Sequence, residues 1–224
     1  MTAVPPLAER LHAVRDGIAD AAREASRDVA EITTIVVTKF HPATMVRELH
    51  DLGVRDFGES RHQEAQPKIA DLADLDATWH FVGQLQSKKA RQVAAYVDVI
   101  HSVDRDSLAT AIAGYPLEVF IQVNLTEDSG RGGAEPEAIH RLAEHLEGAA
   151  GLTLRGLMAV APLGGEARAA FARLRQLSEQ LVQIAPRASA LSMGMSGDYR
   201  DAILEGATHL RIGTAITGKR PEHG

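Results

Sequence analysis

The sequence predicts a (β/α)₈ barrel of the TIM type, a single α/β domain of 224 residues with an extra N-terminal helix. Three observations carry that expectation. Eight strand-like runs occur between residues 34 and 212. A helix-like pattern follows each of the first seven, and a short turn near 214–217 can follow the eighth. No Gly/Ser linker, low-complexity block or composition break divides the chain. Eight βα units imply a closed barrel, with a doubly wound open sheet as the competing arrangement.

The first element is a helix over residues 5–29. Leu7, Leu11, Val14, Ile18, Ala22, Ala25 and Val29 recur at steps of three and four and form an apolar stripe. Arg10, Arg15, Asp20, Arg23 and Glu24 fill the other face, and this mixed charge argues against a membrane-surface role. Strand-like runs follow near 34–37, 54–57, 78–82, 97–101, 117–124, 153–159, 188–191 and 208–212. Helical patterns sit between them, near 42–52, 60–73, 86–95, 105–113, 135–147, 166–184 and 198–205. Pro136 suits a first helical turn and Gly148 can close the same helix. Ser196 or Asp198 can cap the helix that ends before Gly206.

Composition narrows the function. Thirty acidic residues against twenty-four basic give a net charge of −6, which does not suggest a general nucleic-acid surface. The chain has no cysteine, so disulfides, thiolate metal sites and cysteine nucleophiles are excluded. No metal site is expected. No apolar run approaches membrane-spanning length. The opening Met-Thr-Ala-Val-Pro-Pro lacks the layout of a signal peptide, so a cytoplasmic location is expected.

In such barrels the site lies at the C-terminal ends of the strands. Reading those ends in turn gives Lys39, Glu59 with Ser60, Gly83 with Gln84, His101 with Ser102, Asn124, Met158, Ser192 to Ser196, and Arg211 to Thr214. Lys39 ends the run Thr-Ile-Val-Val-Thr-Lys and stands where a strand gives way to a loop. Apolar surroundings there would lower its pKa and make it a Schiff-base nucleophile; the plainer alternative is a solvated lysine. The loops at 191–198 and 211–214 follow the seventh and eighth strands, where barrels frequently bind phosphate. Gly213 allows close backbone approach, and Ser196 and Thr214 offer hydroxyls. Arg211 is expected to face either a carboxylate, such as Asp198 or Glu205, or a ring nitrogen on a ligand. A lysine, a phosphate cradle and an arginine for a ring nitrogen together describe a site for pyridoxal 5′-phosphate.

From about residue 32 to 219 the chain resembles the pyridoxal-phosphate homeostasis protein family, a single-domain relative of the alanine racemase N-terminal barrel. The motifs that carry the resemblance come in a fixed order. They are Val37-Thr38-Lys39, Phe57-Gly58-Glu59 with Gln63-Glu64, and Trp79-His80-Phe81-Val82-Gly83-Gln84-Leu85-Gln86. Gln122-Val123-Asn124, Gly156-Leu157-Met158-Ala159, Leu191-Ser192-Met193-Gly194-Met195-Ser196 and Arg211-Ile212-Gly213-Thr214 follow. The resemblance implies that Lys39 holds the cofactor as an aldimine and that Arg211 faces the pyridine nitrogen. It implies phosphate contacts from Ser196, Gly213 and Thr214, with Ser192 as an addition. It places Asn124, Met158 and His80 around the cofactor pocket.

The chain departs from the family in three places. Ser60-Arg61 stands where an asparagine and an aromatic residue are usual after Gly58-Glu59. Thr38-Lys39-Phe40 replaces the common Ser-Lys-Thr, and Thr217 stands where an aromatic is usual. The segment 126–134 is loop-like and is expected to be mobile, either covering the site or standing as a disordered surface loop.

The resemblance implies a non-catalytic carrier that limits free pyridoxal phosphate and delivers it to apo-enzymes, with related B6 vitamers as further ligands. A racemase needs a base on each face of the substrate. The related racemases take one from a second domain, which is expected to be absent because the chain ends at Gly224. Of Tyr96, Tyr115 and Tyr199, only Tyr199 is expected near the cofactor. No catalytic residue is assigned, and a monomer is expected. The alternatives are a small racemase and a Schiff-base aldolase barrel without pyridoxal phosphate.

Overall fold

The computed structural model describes residues 5–126, 128–162 and 164–220. The first four residues of the N-terminal stretch, Glu127 of the 126–134 segment and the chain end at Gly224 lie outside them. Eight parallel strands form a closed barrel in the order β1 to β8. They are β1 (Thr33–Val37), β2 (Asp56–Glu59), β3 (Thr78–Phe81), β4 (Val99–Val103), β5 (Leu117–Gln122), β6 (Leu152–Met158), β7 (Ala190–Ser192) and β8 (His209–Ile212). Closure is made by β1 and β8, where Ile35 pairs with Arg211 and Val36 with Ile212. This decides against an open sheet.

The helices are α1 (Leu7–Glu24), α2 (Ala43–Asp51), α3 (His62–Ala70), α4 (Ser87–Ala94), α5 (Asp106–Ile112), α6 (Ile139–Glu147), α7 (Ala167–Leu181), α8 (Tyr199–Leu204) and α9 (Thr214–Thr217). Alternation along each strand divides the core in two. One set, including Val36, Phe57, Trp79, Ile100, Ile121, Leu157 and Ile212, packs between strands and helices. The other, Val99, Phe120 and Met158, fills the barrel itself. Gly58 also faces inward, where an added Cβ would meet Ile35 at 3.0 Å and Val37 at 3.1 Å.

The N-terminal helix is shorter than its apolar stripe. It stops at Glu24 because Ser26 takes a left-handed φ of 55° and the chain then folds back, with the Arg27 N–H donating to the Ala22 carbonyl. Val29 falls in a separate 3₁₀ turn and is exposed. Leu7, Leu11, Val14 and Ile18 are buried as the spacing predicts. Helix α1 lies against α8 and α9, near the closure of the barrel. Among the described residues no helix is long and apolar enough to cross a membrane.

Candidate functional site

The turn after β1 is fixed at every polar backbone and side-chain atom of Thr38. Its N–H donates to the Gly58 carbonyl at 2.9 Å and its hydroxyl to Glu59 Oε1 at 2.8 Å. Its carbonyl accepts from Lys68 Nζ at 2.9 Å and from the His41 N–H at 3.1 Å. Phe40 then adopts a left-handed φ of 68°, with its N–H held by Glu64 Oε2 at 3.2 Å. Lys39 lies between these anchored neighbours with its own side chain exposed. The apolar burial expected around it is absent; its Nζ stands 6.0 Å from the Phe40 ring. The reason is that Thr38, not Lys39, takes the buried position where the strand ends. Arg61, one of the departures from the family pattern, lies 4.6 Å over the same ring and pairs with Glu64 at 3.2 Å.

Glu59 does not open on the barrel mouth. It points outward with Phe57, between the strands and α3, where it pairs with Lys68 at 2.7 Å. Both side chains are buried, and Glu59 Oε2 has no partner. Burial raises the Glu59 pKa, opposed by the Lys68 ammonium and the Thr38 hydroxyl. Lys68 was not legible as a functional position. On sequence it is one charged residue in a helix; only the approach of α3 to the end of β1 gives it a role.

Arg211 is 5% exposed and points into the barrel. Its Nη1 donates to Ser192 Oγ at 2.6 Å and its Nη2 to the Ala159 carbonyl at 2.8 Å. Neither carboxylate weighed as its partner fills that role: Glu205 pairs with Arg168 at 2.9 Å and Arg175 at 3.4 Å, and Asp198 accepts the Met195 N–H at 2.5 Å. Burial pulls the guanidinium down to about 10, with Asp198 opposing, so the group stays charged at neutral pH. A buried cation on two neutral acceptors is suited to hold an electron-rich atom.

The loops after β7 and β8 meet each other. Ser196 Oγ accepts the Ala215 N–H at 3.2 Å, which joins the 193–198 loop to the start of α9. Gly194, at φ 92°, lets the first loop turn inward; an added Cβ would sit 2.6 Å from Ala202 Cβ. Thr214 is exposed and Gly213 packs beside Val37 of β1. Ser192 stands apart from these residues. It is fully buried in β7, with its hydroxyl between Arg211 and His101, because inward residues of a barrel strand lie beneath its loop.

Three other expected pocket residues are placed as follows. Met158 lies inside the barrel against Val99 and Phe120. It also lines a cavity of about 200 Å³ with Gln84, Gln122, Asn124 and Arg131. Asn124 turns its amide into its own loop: Oδ1 accepts from Thr126 N at 3.0 Å, and Nδ2 donates to the Asp128 carbonyl at 3.1 Å. Gln84 Nε2 also ties that loop, donating to the Arg131 carbonyl at 2.9 Å. His80 is not at the mouth. It points inward one layer below, hydrogen-bonded to Asp56 at 3.1 Å, and lines a cavity at the opposite, N-terminal end of the barrel.

Tyr199 is turned away from the mouth. Its ring packs on α1, with the hydroxyl so close to Gly17 that no Cβ would fit there. The base that a racemase reading needs is therefore not supplied by this residue. Tyr96 stacks on His62 at 5.9 Å, outside the barrel.

A fully buried histidine, His101, and a half-buried one, His209, make stability depend on pH. Burial, with His80 and Arg211 nearby, holds His101 well below its usual 6.5. Burial holds His209 at about 4. In the unfolded chain both would titrate near 6.5, so unfolding takes up protons between the two ranges. Their stabilising contribution is therefore complete above pH 6.5 and is lost as pH falls through the folded values. Each group adds a slope of about 1.4 kcal/mol per pH unit in that window. Urea midpoints measured at pH 7, 6 and 5 are expected to fall, and His209→Gln is expected to fall less steeply. Equal slopes in the two proteins would show that His209 is not held neutral.

Residues 10–221 match the family model described as alanine racemase, N-terminal domain. The chain is 44% identical over 223 residues to the pyridoxal phosphate homeostasis protein of Pseudomonas aeruginosa, covering 96% of each. It is 38% identical over 226 residues to the protein of that name from Escherichia coli, covering 96% of this chain and 97% of the other. The PipY structure of Synechococcus elongatus with PLP bound superposes with a TM-score of 0.84 at 39% identity, over 95% of this chain and all of that one. Alanine racemase of Corynebacterium glutamicum shares the fold alone, at 16% identity and a TM-score of 0.67; the match spans 94% of this chain and 63% of the racemase.

Proposed function

The chain belongs to the alanine racemase N-terminal domain family, together with proteins named pyridoxal phosphate homeostasis protein, and from that premise we propose that it binds pyridoxal 5′-phosphate without catalysing a reaction on it. Its role in this reading is cofactor homeostasis: holding the cofactor, limiting its free concentration and delivering it to apo-enzymes. The ligand class extends to related B6 vitamers. The carrier works as a cytoplasmic monomer and needs neither nucleic acid nor membrane.

One observation carries the reading. A charged guanidinium is buried at the end of β8 on two neutral acceptors, beside the strand that leads to an exposed lysine. Such a cation fits a pyridine nitrogen, which can accept a hydrogen bond but brings no negative charge of its own. When bound, pyridoxal phosphate supplies an aldehyde carbon that an amine can hold covalently. Lys39 offers that amine on a turn that Thr38, Lys68 and Glu64 keep rigid. Ser196, Gly213 and Thr214 sit where the two phosphate-side loops meet, and Met158 closes the interior side. Ser192 acts by orienting Arg211 and not by touching phosphate. Asn124 shapes the wall through its loop.

The deciding measurement is the absorbance spectrum of the purified protein, before and after borohydride, with peptide mass mapping. A band near the visible edge and a reduced pyridoxyl group on Lys39 are expected. A colourless protein that also fails to take up added pyridoxal phosphate would overturn the reading and favour an aldolase barrel. Exchange of the α-hydrogen of an amino acid in deuterated water would make it a racemase.

A further inference from the structure

Five side chains from five strands form one hydrogen-bonded line through the barrel. Asp56 Oδ1 of β2 lies 3.1 Å from His80 Nε2 of β3, and His80 Nδ1 lies 3.0 Å from His101 Nε2 of β4. His101 Nδ1 lies 2.8 Å from Ser192 Oγ of β7, which accepts from Arg211 Nη1 of β8 at 2.6 Å. His101 is fully buried and stacks on Phe120 at 4.5 Å, which fixes the plane of its ring. Asp56 ends the line at the floor, in a cavity of about 650 Å³ that it shares with Asp98, Glu118, Arg155 and His209.

With one hydrogen on each ring, the direction of every proton in this line follows from its carboxylate end. The Asp56 carboxylate only accepts, so His80 carries its hydrogen on Nε2 and donates to it. His80 Nδ1 then accepts, so His101 carries its hydrogen on Nε2 and donates to His80. His101 Nδ1 accepts in turn, so the Ser192 hydroxyl donates to it while a Ser192 lone pair accepts from Arg211. The neutral state held by burial at His101 agrees with this. His209 faces the line from β8, 6.3 Å from His101 and 5.1 Å from Phe120, with its Nδ1 paired to Thr208.

We propose that Asp56, His80 and His101 are positioning residues: they lock the Ser192 hydroxyl toward His101, so that its lone pair holds the Arg211 guanidinium in the orientation that meets the cofactor's ring nitrogen. This rests on the reading of the mouth as a pyridoxal phosphate site. It gives the three groups a role beyond filling the barrel, where apolar side chains would serve packing alone. Sequence positions so far apart meet only because the barrel is closed.

The test has a readout that needs no cofactor. In protein labelled with ¹⁵N-histidine, His80 and His101 are expected as neutral Nε2–H tautomers; an Nδ1–H tautomer in either overturns the proposal. In the second measurement, Asp56→Ala removes the terminal acceptor while Asp56→Asn keeps an acceptor oxygen. Asp56→Ala is expected to weaken pyridoxal phosphate binding about fivefold, the worth of one hydrogen bond, and to shift the bound cofactor's absorbance. Asp56→Asn is expected to stay near the unaltered protein in both. Unaltered affinity and absorbance in Asp56→Ala overturn the proposal. Should Asp56→Ala not fold, Ser192→Ala removes one oxygen next to Arg211 and carries the same expectation. If the unaltered protein takes up no pyridoxal phosphate, the functional reading fails, and Arg211 guanidinium proton signals decide the relay. Restricted rotation that is lost in Asp56→Ala supports it; equal signals in both proteins overturn it.

Discussion

Lys39→Ala is expected to fold as the unaltered protein does and to carry no borohydride-reducible pyridoxyl group. The side chain removed is exposed, and the turn that presents it is held by other atoms. Loss of a surface side chain of this kind costs about 0.5 kcal/mol or less. Function changes far more, because the amine proposed to hold the cofactor is the one removed. Lys68, close in space, has its ammonium engaged by Glu59 Oε1 at 2.7 Å and the Thr38 carbonyl at 2.9 Å. The check is mass mapping after borohydride, with a thermal melt on the same sample. A reduced adduct of undiminished yield on another lysine would remove Lys39 from the site.

Lys68→Met is expected to produce the opposite pattern, a large loss of stability from a residue that does not touch the ligand. It leaves Glu59 buried with one oxygen already unpartnered and the other held only by the Thr38 hydroxyl. Breaking one side of a buried ion pair costs about 3–5 kcal/mol. For a chain of this size that corresponds to a fall in Tm of roughly 10 °C. The sign of its pH dependence is fixed. Burial already raises the Glu59 pKa, and without Lys68 nothing cationic opposes it. The penalty is therefore full when Glu59 must ionise and shrinks as pH falls and the carboxyl protonates. Replacing both partners, as in Lys68→Met with Glu59→Leu, is expected to recover most of the loss, since no charge is left buried. A Tm for Lys68→Met within a degree of the unaltered protein would show that the pair contributes little.

The two substitutions separate what the turn after β1 presents from what holds it. Lys39 is prominent in the sequence because a cation ends an apolar run, a signal visible in any window of ten residues. Lys68 gives no such signal. Its apolar neighbours Ala65 and Ile69 mark a helix face, and a lysine beside them reads as solvated surface. Strand boundaries show the same limit. The expected start of β2 included Val54, which is buried ahead of the strand; the pairing of Asp56 with Thr78 sets the true start. Likewise β4 begins at Val99, later than its apolar run, which puts His101 inside the strand and not at its end.

The order of strands and helices, the positions of Lys39 and Arg211, and the two loops after β7 and β8 were determined by the sequence alone. These rest on local periodicity and on residues whose chemistry is exposed by their own neighbours. Tertiary structure alone decided the closure of β1 on β8, the outward turn of Glu59, the packing of Tyr199 on α1, and the descent of His80 and Ser192 below the mouth. The physical reason is register. Alternation along a strand says that successive side chains face opposite ways, but which set faces inward, and at what depth, depends on how eight strands align when the sheet closes.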